Sequence, residues 1–501
     1  MKYSINEKVT VRIFSFDETE VDLNASLIIT ENYETIVKIY DVPFDVLNRG
    51  NQKTVKCTRI VSSSGEYITM IDGDIYSSSW NLKNQETFEA SIRSTVVFIG
   101  DSHLMSDEKF CHFDIDVTDG VELIGLCPYD VNKNYIDLTM LPNAKEVNIP
   151  VGIHQIHAET TIGKWTFYVL PIFQFSKDSL TFKFDPRIHF KSNKPLDYGD
   201  FRRVFEKFTG FLEILCGELV TINKLSIHNG DYDGDFQEWE LIGFTNYPKS
   251  KLRMLEGNGV DTTGFLRCSI FKISDFEDIS KAMNTWFEMF DKIPLAHGAY
   301  QRILLDEDMR LLTVNKFLSA MQLVEGYSSL DSNDDKDIKE FKSHKKAILN
   351  MYSLSDSDVE FIKKYCSYSG ITFLNRLQTF TFEAVSKLNC QLSDDKFLKE
   401  HDLLITSIKK DRDTYTHSST LSSPKLDESV LFRVASLYKY FYRINVLSRV
   451  GISNEVLLRR LSLNYSFVFY VKSLFDITMD SKSKEISVSD FDKKMWNFSM
   501  R

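Results

Sequence analysis

Arg412 and His417 are the two side chains of this sequence whose types and spacing best suit chemistry on a phosphodiester. An unperturbed imidazole has a pKa near ~6.5, so it can take a proton from a nucleophilic hydroxyl or give one to a leaving oxygen. A guanidinium offers planar, forked donors to the non-bridging phosphate oxygens, where negative charge builds in the transition state. If the nucleophile is the ribose 2′-OH, the substrate is RNA and no metal is needed.

Both residues belong to the segment Leu403–Thr420, which continues an amphipathic helix. Ser393 is an N-cap signal, and the apolar residues after it have the spacing of one buried helix face, which leads into Arg412. A charge on a buried face needs a partner or a function. On an unbroken helix, positions 412 and 417 lie roughly 140° apart around the axis.

Two arrangements would bring Arg412 and His417 together. Either the helix ends near Thr416 to Ser419, or a second copy of the motif completes the site. A purely structural interpretation also stays open. In that case His417 bonds a backbone carbonyl at a helix end, and Arg412 pairs with a neighbouring carboxylate, Asp411 or Asp413.

The motif and its helical surroundings resemble the HEPN family, helical bundles in which an R-x(4–6)-H motif forms a metal-independent RNase site. Two further segments extend the resemblance over most of the chain. Lys316–Ser329 is similar to the junction between the two halves of ApeA-like proteins, and Pro195–His228 is similar to the middle of their N-terminal domain. ApeA-like proteins are antiphage abortive-infection proteins with a β-rich N-terminal domain and a C-terminal HEPN domain.

The resemblance implies a function and a role for each motif residue. It implies an endoribonuclease of antiphage defence, with RNA as substrate and transfer RNA as one family-level candidate. His417 is the expected general acid and base, and Arg412 the expected transition-state stabiliser. Asp413 stands where many HEPN motifs carry Asn, so we expect it to orient or restrain Arg412. A homodimer through the HEPN domain and a phage-derived trigger are also implied, and no cofactor or metal is expected.

The composition is that of a soluble globular protein of two or three domains. The 501 residues are 43% hydrophobic, 26% charged and 13% aromatic, which indicates large buried surfaces rather than disorder. The net charge of −11 disfavours broad, nonspecific binding of nucleic acid. Seven cysteines without a C-x-x-C pair, no apolar leader and no run long enough to span a membrane predict a cytoplasmic protein without a membrane partner.

The pattern of apolar residues predicts an α+β protein with a β-rich, sandwich-like N-terminal domain and an all-α HEPN-like bundle. Residues up to about 190 contain β-branched and aromatic runs separated by turn residues. A helix from about Asp200 to Leu215 has an apolar side suited to cover a sheet. We expect a β-rich domain at 1–275, a helical connector at 276–330, the HEPN-like domain at 331–480 and a C-terminal tail at 481–501.

Two other patterns in the sequence are candidates for metal sites. Asn229–Glu240 matches the calcium-loop template, but strands rather than helices are predicted on both sides, which favours an acidic hairpin turn. His154 and His157 have no third ligand at a suitable spacing and are interpreted as structural.

Two other classes of function stay open. The bundle would be a catalytically silent HEPN-like module that binds nucleotide or RNA, beside a ligand-recognising β domain. Alternatively, the β domain would be a calcium-dependent or carbohydrate-binding sandwich, and the helices would only oligomerise it.

Overall fold

The computed structural model divides the chain into two compact units. One comprises Met1–Thr262 and Ile270–Asn284, and the other comprises Thr263–Ser269 and Thr285–Arg501. The first is β-rich and the second helical, which confirms the predicted α+β class and the order of its parts. The structure describes residues 6–16, 19–30, 35–43, 54–80, 87–94, 96–105, 108–117, 120–126, 154–175, 180–220, 222–230, 237–242, 271–309, 313–330, 334–351, 354–365, 372–388, 393–417 and 426–475.

The described strands of the first unit form one antiparallel sheet of 13 members. Helices α1 (Gly120–Ile124) and α2 (Tyr198–Cys216) accompany it. The strands are β1 (Lys8–Phe16), β2 (Thr19–Ile29), β3 (Thr35–Pro43), β4 (Thr54–Ser62), β5 (Tyr67–Trp80), β6 (Thr87–Ser94), β7 (Val96–Gly100), β8 (Phe110–Val117), β9 (Gln155–Glu159), β10 (Gly163–Phe175), β11 (Leu180–Leu196), β12 (Ile222–His228) and β13 (Glu238–Ile242).

The first six strands close into a barrel. Strands β1, β2 and β3 form one meander and β4, β5 and β6 another, and the two join at both edges through β1–β4 and β3–β6 pairing. Alternate side chains such as Val11, Ile13 and Ile60 fill the interior and are fully buried. The sequence predicted a sandwich-like arrangement, because alternation of apolar and polar residues fits a sandwich and a barrel equally well.

The remaining strands form an open sheet that continues from the barrel. Strand β5 also pairs with β7, and the order then runs β13, β12, β8, β11, β10 and β9. Helix α2 covers one face of this sheet. The ring centroids of Phe201 and Phe113 are 5.5 Å apart, and those of Phe208 and Trp165 are 4.2 Å apart. These buried aromatic contacts form the core of the open-sheet region.

Helix α2 confirms the helix predicted from about Asp200 to Leu215 and its function as a cover for a sheet. The Asp197 side chain accepts the backbone N–H of Asp200 at 2.8 Å and caps the N-terminus. Gly217 ends the helix with a φ of 76°, a left-handed conformation that glycine adopts without a steric penalty.

The helical unit follows the β-rich unit in the chain, and the division between the two units falls within α3. Short 3₁₀ segments lie at Ile273–Asp275 and Ser328–Leu330. The helices are α3 (Ile279–Lys292), α4 (Pro294–Met309), α5 (Thr313–Tyr327), α6 (Asp334–Met351), α7 (Asp356–Tyr365), α8 (Phe373–Leu388), α9 (Asp394–His417), α10 (Glu428–Arg449), α11 (Asn454–Ser462) and α12 (Tyr465–Phe475).

Helix α10 is the centre of the helical unit, since most of its side chains are buried. Helices α5 and α8 pack against it, and α9 packs on α5 and α8. Polar contacts align these helices: Thr381 and Tyr438 join their hydroxyls at 2.7 Å, and Asn445 Nδ2 donates to the Phe380 carbonyl at 3.0 Å. Among the helices that the structure describes, none combines the length and the hydropathy of a membrane span.

Candidate active site

Helix α9 carries both residues of the R-x(4)-H motif and is continuous from Asp394 to His417. The Ser393 hydroxyl accepts the backbone N–H of Lys396 at 3.3 Å, which confirms the predicted N-cap. The predicted apolar stripe is confirmed at positions that anchor α9 in the bundle. Its fully buried apolar members are Phe397, Ile405 and Ile408.

The Arg412 guanidinium is held by contacts from three helices. Its Nη2 donates to Oε1 of Glu325 on α5, and its Nη1 donates to Oδ1 of Asp413 at 3.1 Å. The guanidinium carbon lies 4.7 Å from the ring centroid of Phe373, the first residue of α8. The Arg412 side chain is 18% exposed, so it is fixed by its neighbours while part of it still faces solvent.

Asp413 lies between two cations one turn apart. Besides Arg412 it contacts Lys409, whose Nζ is 2.7 Å from Oδ2. Burial raises the pKa of Asp413, but the hydrogen bonds from Lys409 and Arg412 outweigh it, so the pKa lies below its ordinary value. With Glu325, the four side chains form a cluster of two cations and two carboxylates whose formal charges balance.

Asp411 connects the end of α9 to the start of α10. It is completely buried, and its Oδ2 accepts the backbone N–H of Leu426 at 2.8 Å. Leu426 directly precedes Asp427, the N-cap of α10. The carboxylate therefore determines where the chain returns to the bundle after the motif.

Tyr415 is a further polar side chain of α9. Its ring centroid lies 6.3 Å from that of Phe317 on α5. Burial, together with the charges of Asp411 and Glu428, raises the pKa of its phenol. The phenol therefore keeps its proton at neutral pH and can donate a hydrogen bond.

His417 is the last residue of α9, and its side chain lies outside the described residues, as do residues 418–425. The helix includes both motif positions without a break. Positions 412 and 417 therefore lie about 140° apart around the axis of α9. The helix ends at His417, within the range Thr416 to Ser419 of the first arrangement, so both arrangements derived from the sequence stay open.

Comparison with known families matches both halves of the chain. Residues 8–286 match the family described as ApeA N-terminal domain 1, more than half of the sequence. The chain belongs to the ApeA family. Residues 318–456 match the Apea-like HEPN domain, which contains α9 and with it Arg412 and His417. The resemblance noted in the sequence is thereby confirmed. Searches of curated proteins and of solved structures gave no match.

Membership of the ApeA family bears on the class of activity. At the level of the family, the two matches support a HEPN-type nuclease that acts in antiphage defence. The HEPN match begins within α5, includes Glu325, and contains the whole of α8, α9 and α10. The contacts of Arg412 described above are therefore contacts within the HEPN domain.

Glu325 is the residue of this ApeA-family site that the sequence interpretation missed. It lies within Lys316–Ser329, the segment quoted as the junction of the two halves. A signal was present, because Glu325 sits among Leu323, Val324 and Tyr327, which are all buried. A carboxylate beside a buried helix face needs a partner, but the sequence did not indicate which cation that partner would be.

The calcium-loop template Asn229–Glu240 begins directly after β12, and its last three residues belong to β13. Strand β12 ends at His228 and β13 begins at Glu238, which confirms the predicted flanking strands. The Asn229 side chain accepts the N–H of Gln237 at 2.8 Å and donates to Glu108 at 2.8 Å. Residues 231–236, with Asp231 and Asp233 among them, lie outside the described residues.

His154 and His157 lie at the start of β9 and are both exposed. His157 Nδ1 is 3.3 Å from the Thr166 hydroxyl of the adjacent strand. Among the residues that the structure describes, no group of three or more His, Cys, Asp and Glu side chains is arranged to hold a metal ion.

Proposed function

We propose that this chain is a cytoplasmic, metal-independent endoribonuclease of the HEPN type that acts in antiphage defence by abortive infection. His417 takes the proton of the ribose 2′-OH, which attacks phosphorus, and the bond from phosphorus to the 5′ oxygen breaks. The leaving oxygen receives a proton, and the products are a cyclic 2′,3′-phosphate and a 5′-hydroxyl. Arg412 stabilises the charge on the non-bridging oxygens, and Asp413 orients and restrains Arg412.

The position of Arg412 carries this proposal. Its guanidinium is fixed by Glu325, Asp413 and Phe373 and still has an exposed part. A donor held in place before the substrate arrives stabilises developing charge without reorganisation during the reaction. Fixed, forked donors suit the non-bridging oxygens of a phosphodiester better than a flexible ammonium does.

The balanced charge of the cluster supports a restrained resting state. Carboxylates and phosphates compete for the same guanidinium N–H groups. While Glu325 and Asp413 both bind Arg412, a phosphodiester must replace at least one of these contacts. Because Glu325 belongs to a different helix, the restraint depends on how α5 and α9 pack.

The homodimer belongs to the proposal for a geometric reason. Since α9 includes both residues, positions 412 and 417 of one chain lie on different sides of the helix. Two helical units that face each other through α9 would place Arg412 of one chain near His417 of the partner. We therefore propose composite sites, each built from two chains.

RNA cleavage by purified variants in the presence of EDTA tests the proposal. The wild type should cleave, whereas Arg412→Ala and His417→Ala should lose on the order of 10²–10³-fold in rate. Two matched controls on exposed positions of the helical unit should keep the wild-type rate. They are Arg302→Ala, whose guanidinium bonds Gln322, and His344→Ala, whose side chain is 73% exposed.

Each outcome of this experiment has a definite meaning. Cleavage by all variants would move the active site away from α9. Cleavage that stops in EDTA would contradict the metal-independent mechanism. RNA that stays intact with every protein, including protein taken from infected cells, would favour the alternative of a catalytically silent HEPN-like module that binds nucleotide or RNA.

Mixing the two inactive variants tests the composite site. A dimer of one Arg412→Ala chain and one His417→Ala chain retains one complete pair of residues if each site uses both chains. Co-expression should then restore about half of the wild-type cleavage per dimer, by this counting of sites. Absence of any restoration in a confirmed heterodimer would assign both residues to one chain.

The phage-derived trigger is proposed to act through the β-rich unit. A nuclease that ends the life of its own host cell has to stay inactive before infection. RNA integrity should therefore be compared in cells that express the chain before and after phage infection. Cleavage that begins only after infection is the expected result, and equal cleavage in both samples would contradict a trigger.

A further inference from the structure

A cleft of about 660 Å³ opens on the face of the open sheet that α2 does not cover. Successive residues of a strand point to opposite faces. Phe113 and Phe190 point to the α2 side and stack at 4.5 Å, while their neighbours Asp114 and His189 line the cleft. The strands that build the aromatic core thus also build a polar surface, with side chains from β8 to β13.

The strand register brings imidazoles and a carboxylate together in this cleft. His189 of β11 pairs with Asp114 of β8, and His112 of β8 pairs with His228 of β12. His189 Nδ1 is 2.9 Å from Asp114 Oδ1, and His228 Nε2 is 3.3 Å from Asp114 Oδ2. His112 Nδ1 lies 3.4 Å from His189 Nε2. Both carboxylate oxygens of Asp114 are therefore occupied by imidazoles.

The other side chains of the cleft offer mainly hydrogen-bond donors. Arg187 binds Asp185 through Nε and Nη2, at 2.9 and 2.8 Å, and the charge of Asp116 on β8 also acts on it. Lys224 is exposed on β12, and Ser226 lies beside it in the lining. Burial, with the charge of Asp114, raises the pKa of the Tyr168 phenol, which therefore keeps its proton.

The donors of the lining indicate the class of ligand. Asp114 is already satisfied by His189 and His228, and Glu238 is exposed. Two cations and several hydroxyl groups suit the oxygens of a phosphate. The ring of Tyr168 and the side chain of Leu170 add a flat, partly apolar wall. Sites of about 300–1,000 Å³ accommodate small molecules rather than macromolecules.

We propose that this cleft binds a small phosphorylated ligand of mononucleotide size. Its phosphate contacts Arg187 and Lys224, and its ring system lies against Tyr168. The site belongs to the β-rich unit and is independent of the proposed RNase function of α9. It gives that unit a chemical specificity of its own.

Calorimetric titration of the full-length chain tests the proposal, with AMP, ATP, inorganic phosphate and citrate as the probes. At least one nucleotide should bind, and more tightly than inorganic phosphate or citrate. Lys224→Gln and Arg187→Gln should each weaken that binding about tenfold, the scale of a hydrogen bond to a charged group. Lys164→Gln is the matched control, because Lys164 lies on β10, is 65% exposed and pairs with Glu159. Binding to this control and to Arg412→Ala should equal that of the wild type.

Four outcomes at the cleft would overturn the proposal, and a fifth concerns the helical unit. They are no heat with either nucleotide, equal affinity for inorganic phosphate, preference for citrate, and wild-type nucleotide binding by the Arg187→Gln/Lys224→Gln double variant. Loss of nucleotide binding in Arg412→Ala would place the nucleotide in the helical unit and equally contradict the cleft. Because Lys224 is exposed, its single variant reports on binding even if Arg187→Gln disturbs the sheet.

Discussion

Arg412 in the helical unit and Arg187 in the β-rich unit are both held by carboxylates, but these partners lie at different distances along the chain. Asp185 stands two residues before Arg187 on the same strand. Glu325 stands 87 residues before Arg412, on another helix. The first pair forms wherever β11 forms, whereas the second exists only when α5 and α9 pack. The contact of Arg412 with Glu325 is therefore conditional on tertiary packing in a way that the contact of Arg187 with Asp185 is not.

Replacing each arginine by lysine should separate the two sites most strongly. Arg412→Lys should lower the rate of RNA cleavage on the order of 10²–10³-fold, because an ammonium cannot bind Glu325, Asp413 and a phosphate in one plane. Arg187→Lys should weaken nucleotide binding only a few-fold, since a point charge suffices there. Single-turnover rates and calorimetry measure the two effects. Similar losses in both would remove the distinction between the sites.

Removal of the Asp411 carboxylate, which connects α9 and α10, should lower stability more than removal of the Asp185 carboxylate beside Arg187. Asp411→Ala leaves the N–H of Leu426 without its buried acceptor, which costs about 1–3 kcal/mol. Asp185→Ala breaks a partly exposed pair and should cost about 1 kcal/mol or less. Urea unfolding of both variants beside the wild type gives the two values. An equal cost would mean that Asp411 is not a structural connection.

The long-range restraint on Arg412 can be weakened without changing α9. Glu325→Gln keeps the size of the side chain and removes its charge, so Arg412 becomes more available to phosphate. RNA cleavage without a trigger should rise by about tenfold or less, the scale of one charged hydrogen bond. Nucleotide binding in the cleft should not change. A fall in cleavage would instead identify Glu325 as a residue that positions Arg412.

The smallest effect is expected for Asp413→Asn. Burial raises the pKa of Asp413, yet its bonds to Lys409 and Arg412 lower it further, so the folded pKa lies below the ordinary value of 3.8. Such a carboxylate contributes stability above its unfolded pKa and loses it as the pH falls through the folded pKa. The variant should therefore be less stable by about 1 kcal/mol or less at neutral pH.

The pH dependence provides the control for this prediction. Wild type and Asp413→Asn should converge in stability as the pH falls through the folded pKa of Asp413, because the wild-type carboxylate is then also protonated. Thermal melts from neutral to acidic pH follow that convergence. A difference that is constant over the whole range would show that the charge of Asp413 does not stabilise the fold.

The sequence by itself determined those features that depend on neighbouring residues. The cap at Ser393 and the buried stripe of α9 follow from side-chain spacing of one helical turn. The α2 helix and the strands around Asn229–Glu240 follow in the same way from local periodicity and turn residues. Contacts over a few residues leave a repeated pattern in the sequence, so they could be predicted from it.

Tertiary structure alone decided the features that join distant segments. Closure of the barrel depends on the β1–β4 and β3–β6 pairings, and the polar face of the open sheet depends on the register of six strands. Glu325 meets Arg412, and Asp411 meets Leu426, only after helices pack and the chain returns. Such contacts leave no periodic signal in the sequence. They form because many weak interactions throughout the fold together offset the entropy of closing a long segment.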